Sequence, residues 1–173
     1  MSTDESPPQS DDLMVRAYDE MRALARRRLS HVGAQSLQAT ELVNEAWLRL
    51  VGKDRVWSDR TELFGLAARA MRDILVERAR MKSAKKRGGD WEQVTWESAL
   101  VVAAEHPEIL LTLDEALLRL SEQAPEHAKV VELMFFAGLT GDETARALDV
   151  SPSTIDRQWR FARAWLHREL MAE

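Results

Sequence analysis

The 173-residue chain contains no cysteine. Disulfides, thiolate metal sites and thiol nucleophiles are therefore excluded, and a reducing cytoplasm suits such a chain. Long apolar runs are also missing. The longest, ALVVAA from Ala99 to Ala104, is far too short to cross a bilayer, so no membrane insertion is expected. The opening MSTDESPPQSDD has acids, serines and prolines in place of the basic and apolar regions of a signal peptide, and residues 1–12 read as a disordered acidic lead-in. Catalytic signatures are absent too. There is no P-loop, no G-x-S-x-G and no H-E-x-x-H. None of His31, His106, His127 and His167 follows a glutamate by three residues, which removes the di-metal pattern of helical bundles. Neither a metal, a cofactor nor an enzyme activity is expected.

What the chain does carry is charge, unevenly spread. Its 24 Lys+Arg and 29 Asp+Glu give a net −5. Residues 13–89 hold 17 bases and 9 acids, net +8, whereas residues 90–127 hold 1 base and 9 acids, net −8. A basic block followed by an acidic stretch points to two bodies joined by a linker, with a polyanion as partner of the first.

Apolar residues recur at the helical period and no strand alternation stands out, so the expected fold is all-α: two small helical domains with a linker between them. A first helix is expected over residues 12–29, with Leu13, Ala17, Met21 and Leu24 inward. A second covers residues 40–51, with Val43, Ala46, Trp47 and Leu50 on one stripe. A third starts at Asp59 or Thr61, where Asp59 and Glu62 have capping-box spacing, and buries Leu63, Ala67, Ala70, Ile74 and Leu75. Gly88 and Gly89 stop it. The acidic stretch 90–109, with Trp91 and Trp96, reads as the linker. Helices follow over residues 107–121, 125–137, 141–148 and 151–171, with Gly138 as a C′ residue. There is no internal repeat and no heptad run.

The last two helices have the spacing of a helix-turn-helix. Thr140 and Glu143 form a capping box, Asp149 and Val150 make the turn, Ser151 caps the next helix and Pro152 occupies its first position. Asp149 stands where such turns usually place glycine. At about 100° per residue, Ile155, Trp159, Ala162 and Leu166 fall on one stripe of the final helix, and Ser153, Arg157, Arg160 and Arg163 fall away from it. A recognition helix presents its first residues to base edges and later bases to phosphates, and arginine forks onto guanine.

Over residues 13–170 the chain resembles bacterial RNA polymerase sigma factors of the extracytoplasmic function (ECF) subfamily. Three blocks in order carry the resemblance: LQATELVNEAWLRL, FGLAARAMRDILVERARMKSAKKRGG, and VVELMFFAGLTGDETARALDVSPSTIDRQWRFARAWLHREL. It implies a dissociable polymerase subunit that recognises promoter −10 and −35 elements. Residues 13–89 would dock on the clamp coiled coil of the largest subunit of the polymerase core and handle the −10 element, and residues 110–173 would read the −35 element of promoter DNA. Implied polymerase contacts are Glu41, Asn44, Glu45, Leu48 and Arg49. Implied −10 contacts are Trp57, Ser58, Arg60 and Phe64 around a flipped base, with Arg69, Arg72, Arg80, Lys85, Lys86 and Arg87 on phosphates. Implied −35 contacts are Ser153, Thr154, Arg157, Arg160 and Arg163. Asp73 stands where the family often has asparagine.

The docking helix of many relatives opens with a cluster of acids. Here Gln38 and Thr40 stand among those positions and only Glu41 and Glu45 are acidic, so charge-driven docking is expected to be weak. Thr40 is a candidate phosphorylation site for a Ser/Thr kinase, since a phosphate adds roughly −1.5 to −2 charge there. The plainer expectation is that Thr40 is the helix N-cap. Control by an anti-sigma factor is the other regulatory option. The linker has three readings: a tether, a shield over the basic block, or a segment in the RNA-exit path. The rival function is a stand-alone helix-turn-helix regulator, dimeric on paired half-sites, which leaves the basic block and the docking-like helix unexplained.

Overall fold

The structure, a computed structural model, describes residues 10–29, 36–51, 59–83 and 107–171. Seven helices account for nearly all of them and no strand occurs among the described residues. These are α1 (Ser10–Leu29), α2 (Ser36–Val51), α3 (Arg60–Ser83), α4 (Pro107–Gln123), α5 (Pro125–Val131), α6 (Gly141–Leu148) and α7 (Pro152–Met171). A single π-turn, Glu132–Phe136, continues α5. No helix among the described residues is long and apolar enough to cross a membrane.

Two expectations about elements need correction. First, α2 starts at Ser36 rather than Thr40. Thr40 therefore lies in its second turn and is not the N-cap. Second, the helix expected over residues 125–137 widens at its end. The Ala137 amide donates to the Glu132 carbonyl (3.2 Å), five residues back, before Gly138 at φ 76° breaks the helix. Other starts follow the sequence signals. The Asp59 carboxylate accepts from the Glu62 amide (2.8 Å) at the head of α3, and Pro125 enters α5 in its first turn, where its missing N–H costs nothing.

The apolar stripes fix the packing. Ala17, Met21 and Leu24 of α1, Val43, Ala46 and Leu50 of α2, and Leu63, Ala67, Met71 and Ile74 of α3 share one core. Leu110, Leu113, Leu117 and Leu120 of α4 meet Phe135, Ala162 and Leu166 in a second. The long helix α3 serves both. Leu133, Ala137 and Leu139 from the second group enter the first core, and Ala79 of α3 enters the second. Fully burying a leucine contributes roughly 1.5–3 kcal/mol, so Leu133 and Leu139 alone give the two groups of helices a substantial reason to associate.

Segment α5 and its π-turn run through the middle. Ala128, Val130, Val131, Leu133, Phe135 and Phe136 are all buried against neighbouring helices, while Glu126 and Lys129 stay at the surface. Glu132 is the exception in that run and is buried as well. A carboxylate there requires a partner, and that partner comes from α3.

Candidate nucleic-acid and polymerase interfaces

The helix-turn-helix is built by local chemistry. At the head of α6 the Thr140 hydroxyl accepts from the Glu143 amide (3.2 Å), and the Glu143 carboxylate accepts from the Thr140 amide (2.7 Å). Both halves of the capping box are formed. At its other end Asp149 adopts φ 53°, ψ 47°, the left-handed conformation, and the Val150 amide donates back to the Ala145 carbonyl (3.0 Å). This is a Schellman closure made with aspartate in place of glycine. Ser151 then caps α7 by accepting from the Thr154 amide (3.2 Å), and its hydroxyl lies 2.8 Å from that of Thr154. Small Ala145 lets α6 and α7 cross closely over Val130 and Ile155.

This closure sets the rotation of α7. Ile155, Ala162, Trp165 and Leu166 are buried. Ser153, Arg157 and Arg160 are exposed, Thr154 is half-buried, and Arg163 is half-buried rather than facing fully outward. Two further exposed residues share the outer surface and were not singled out from sequence. Asp156 places a carboxylate among the arginines, and Phe161 is 48% exposed with its ring 4.5 Å from that of His127.

Along α3 the outcomes divide. Arg69 and Arg80 are exposed on one flank, with Asp73 between them. Arg60 is exposed but engaged, paired with Glu20 of α1 and stacked 5.2 Å from the centre of the Phe64 ring. Phe64 itself is only 2% exposed and belongs to the core, so it is not open to a flipped base in this structure. Arg72, expected as a phosphate contact, is 6% exposed. Its Nε donates to Asp114 Oδ1 (2.7 Å), one Nη to Glu132 Oε1 (2.8 Å) and the other to the Asp114 carbonyl (3.1 Å). Trp57, Ser58, Lys85, Lys86 and Arg87 lie outside the described residues, as does the stretch 90–106.

On α2 the expected polymerase contacts split in the same way. Leu48 is 71% and Val51 45% exposed, and Asn44 is exposed with its carbonyl oxygen accepting from the Tyr18 hydroxyl at 2.5 Å. The charged members are drawn into an ion-pair network with α3. Arg78 reaches Glu45 (2.8 Å) and Glu41 (3.5 Å), while Arg49 forks onto both carboxylate oxygens of Glu77 (3.0 and 2.7 Å) and also reaches Glu45 (3.0 Å). The hydrogen bond from Arg49 holds the Glu77 carboxyl below its ordinary range, and the same bond holds Arg49 still more firmly protonated. What this face offers a partner is therefore exposed Leu48, Val51 and Asn44 beside charges already paired with one another.

Among the described residues no group of histidines and carboxylates is arranged to hold a metal. The arrangement is one of surfaces: an arginine-bearing helix on a capped turn, a second arginine-bearing flank on α3, and exposed Leu48, Val51 and Asn44 beside paired charges on α2. No curated protein and no solved structure matches the chain. The model of the family described as ECF sigma factor matches residues 3–172, nearly the whole length. With that match joined to a capped helix-turn-helix behind a basic helical block, the chain belongs to the ECF sigma factor family.

Proposed function

We propose a division of labour within this sigma factor. The family sets the activity: an RNA polymerase subunit that recognises promoter −10 and −35 elements and directs initiation. In our reading α7 enters the major groove of the −35 element, with Ser153, Thr154 and Arg157 nearest the base edges and Arg160 and Arg163 toward phosphates. Arg69 and Arg80 of α3 track the backbone at the −10 element, together with the basic residues beyond Ser83. Leu48, Val51 and Asn44 of α2 meet the clamp coiled coil of the polymerase, with Glu41, Glu45 and Arg49 at the rim. The chain acts by positioning rather than by catalysis, in the cytoplasm where polymerase and promoter are found.

The observation that carries this reading is the two-sidedness of α7, whose dry stripe and arginine face are fixed by the same capped turn. The test is a gel shift on promoter DNA with and without core polymerase. A sigma factor needs the core for tight promoter binding. Equal binding without it returns the protein to the stand-alone regulator class.

Regulation by a Ser/Thr kinase at Thr40 fits the same face. Thr40 lies one turn ahead of Asn44, and the nearby carboxylates of Glu41 and Glu45 are already occupied by Arg78. A phosphate there supplies roughly −1.5 to −2 of new charge. Thr40→Glu is expected to bind core polymerase more tightly than Thr40→Ala, and equal or weaker binding rejects the switch. An anti-sigma factor remains the other class of regulator this reading admits.

A further inference from the structure

The outer face of α7 carries one residue that phosphate binding does not account for. Counted at about 100° per residue, Ser153, Asp156, Arg157 and Arg160 span an arc of about 100° centred opposite the stripe of Ile155, Ala162 and Leu166. All four are exposed. Asp156 is the acid among them. Its carboxylate makes no ion pair among the described residues, although Arg157 adjoins it and Arg160 stands one turn further on. An acid four residues ahead of a base is the favourable order for pairing on a helix. Here the Arg160 Nε donates instead to the Asp156 backbone carbonyl (3.2 Å), and the carboxylate is left without a cation from its own helix. The helix dipole does not explain the acid either. It favours acids in the first turn, and Asp156 is the fifth residue of α7.

On a face that meets duplex DNA, a carboxylate opposes the phosphate attraction of its arginine neighbours. What it can do there is accept. In the major groove the base-edge donors are the N4 amine of cytosine and the N6 amine of adenine. Adenine sets N7, an acceptor, beside its amine, where the second carboxylate oxygen would meet it. Cytosine has only a C–H beside N4. Guanine and thymine present acceptors, which an ionised carboxylate repels. We propose that Asp156 is a specificity-determining residue whose carboxylate accepts from the N4 amine of one cytosine in the upstream promoter element. It works as much by rejection as by attraction, since the same charge penalises guanine and thymine at that position. The proposal rests on the reading of α7 as the −35 helix and adds to it a base identity and the residue that reads it.

The test is run-off transcription by the full chain with core polymerase on promoters randomised through the upstream element. The variants are Asp156→Ala, Asp156→Asn and Arg157→Ala. The control is Glu115→Ala, which removes the same charge from an exposed site on α4. The parent is expected to prefer cytosine at one position, and Asp156→Ala to lose at least about five-fold of that preference there while promoters with other bases at the position gain. Asp156→Asn keeps the shape but adds a donor, and asparagine matches the N6 and N7 edge of adenine. Preference at the same position is therefore expected to move from cytosine to adenine, a gain that a merely structural residue does not produce. Both variants should unfold within about 2 °C of the parent. If Arg157→Ala alters one position and neither Asp156 variant alters any, the proposal is overturned and the −35 reading stands. If the Asp156 variants change all promoters in proportion, as a general charge effect shared with Glu115→Ala, the proposal is likewise overturned. An early-unfolding Asp156→Asn with unmoved preferences makes the residue structural and ends the proposal. If none of the three variants moves any upstream preference, the −35 reading of α7 fails and the proposal falls with it.

Discussion

Ile155 and Arg157 stand two residues apart on α7 and should fail in opposite ways. Ile155 is 1% exposed, packed with Val130 and Ala145 and against Met134, Leu148 and Trp159. Truncation to alanine removes three buried carbons and leaves a cavity beneath the turn, at a cost of about 2–5 kcal/mol. For a chain of this length that lowers Tm by roughly 4–20 °C. Arg157 is exposed and makes no ion pair among the described residues. Its replacement by alanine should change stability by no more than about 0.5 kcal/mol. Its effect belongs on sequence preference. A bidentate arginine contact discriminates by about 1–3 kcal/mol, so one upstream position should lose roughly 5- to 150-fold of its selectivity. The paired assay is thermal unfolding of both variants beside run-off transcription with core polymerase on a library randomised at the upstream element. If Arg157→Ala unfolds as early as Ile155→Ala, or transcribes every upstream variant in the parent's proportions, the two-faced account of α7 is wrong.

Other outcomes follow from single features. Asp149→Gly relieves a left-handed aspartate at the turn and should raise unfolding stability by up to about 1 kcal/mol in urea titration; a loss means the Asp149 side chain has a stabilising role there. Arg69→Ala and Arg80→Ala should each lower the slope of log affinity against log salt by about 1 in the polymerase-bound complex, without changing which promoters are preferred. Glu77 should titrate below the ordinary carboxylate range because Arg49 donates to it. A depressed folded pKa stabilises above the unfolded value, near 4.3, and this support disappears as pH falls through the lower folded value. Side-chain carboxyl NMR should show Glu77 returning to the ordinary range in Arg49→Ala, and an unmoved titration removes that cause.

Much of the fold was legible because it is written locally. The period of Ala17, Met21 and Leu24, the capping box at Thr140 and Glu143, and the Ser151-Pro152 start are short-range signals, and the structure has them in place. Aspartate in the glycine position of the turn was legible for the same reason. The start of α2 was not, because SLQA ahead of Thr40 suits a helix interior and Thr40 offers a tempting cap. The fate of the site residues was harder to foresee. A lone Arg72 on a basic helix looks like any phosphate contact, since its burial depends on Asp114 and Glu132, 42 and 60 residues away. One signal was present. Glu132 interrupts VVELMFFAGL, and an acid inside so apolar a run has to find a cation. Phe64 had a similar ambiguity, resolved only by the packing of α3 between its neighbours.

The π-turn after Val131 carries a constraint of its own. One extra residue per turn rotates everything upstream by about 100° relative to Gly138 and helices α6 and α7. Deleting a single residue between 132 and 136 would restore ordinary α geometry, a locally more favourable backbone. It would also swing the only acid of that segment away from its cation and into hydrocarbon. This part of the chain is therefore intolerant of length change for reasons that no helix-propensity scale registers, and shortening it should harm the protein more than most substitutions within it.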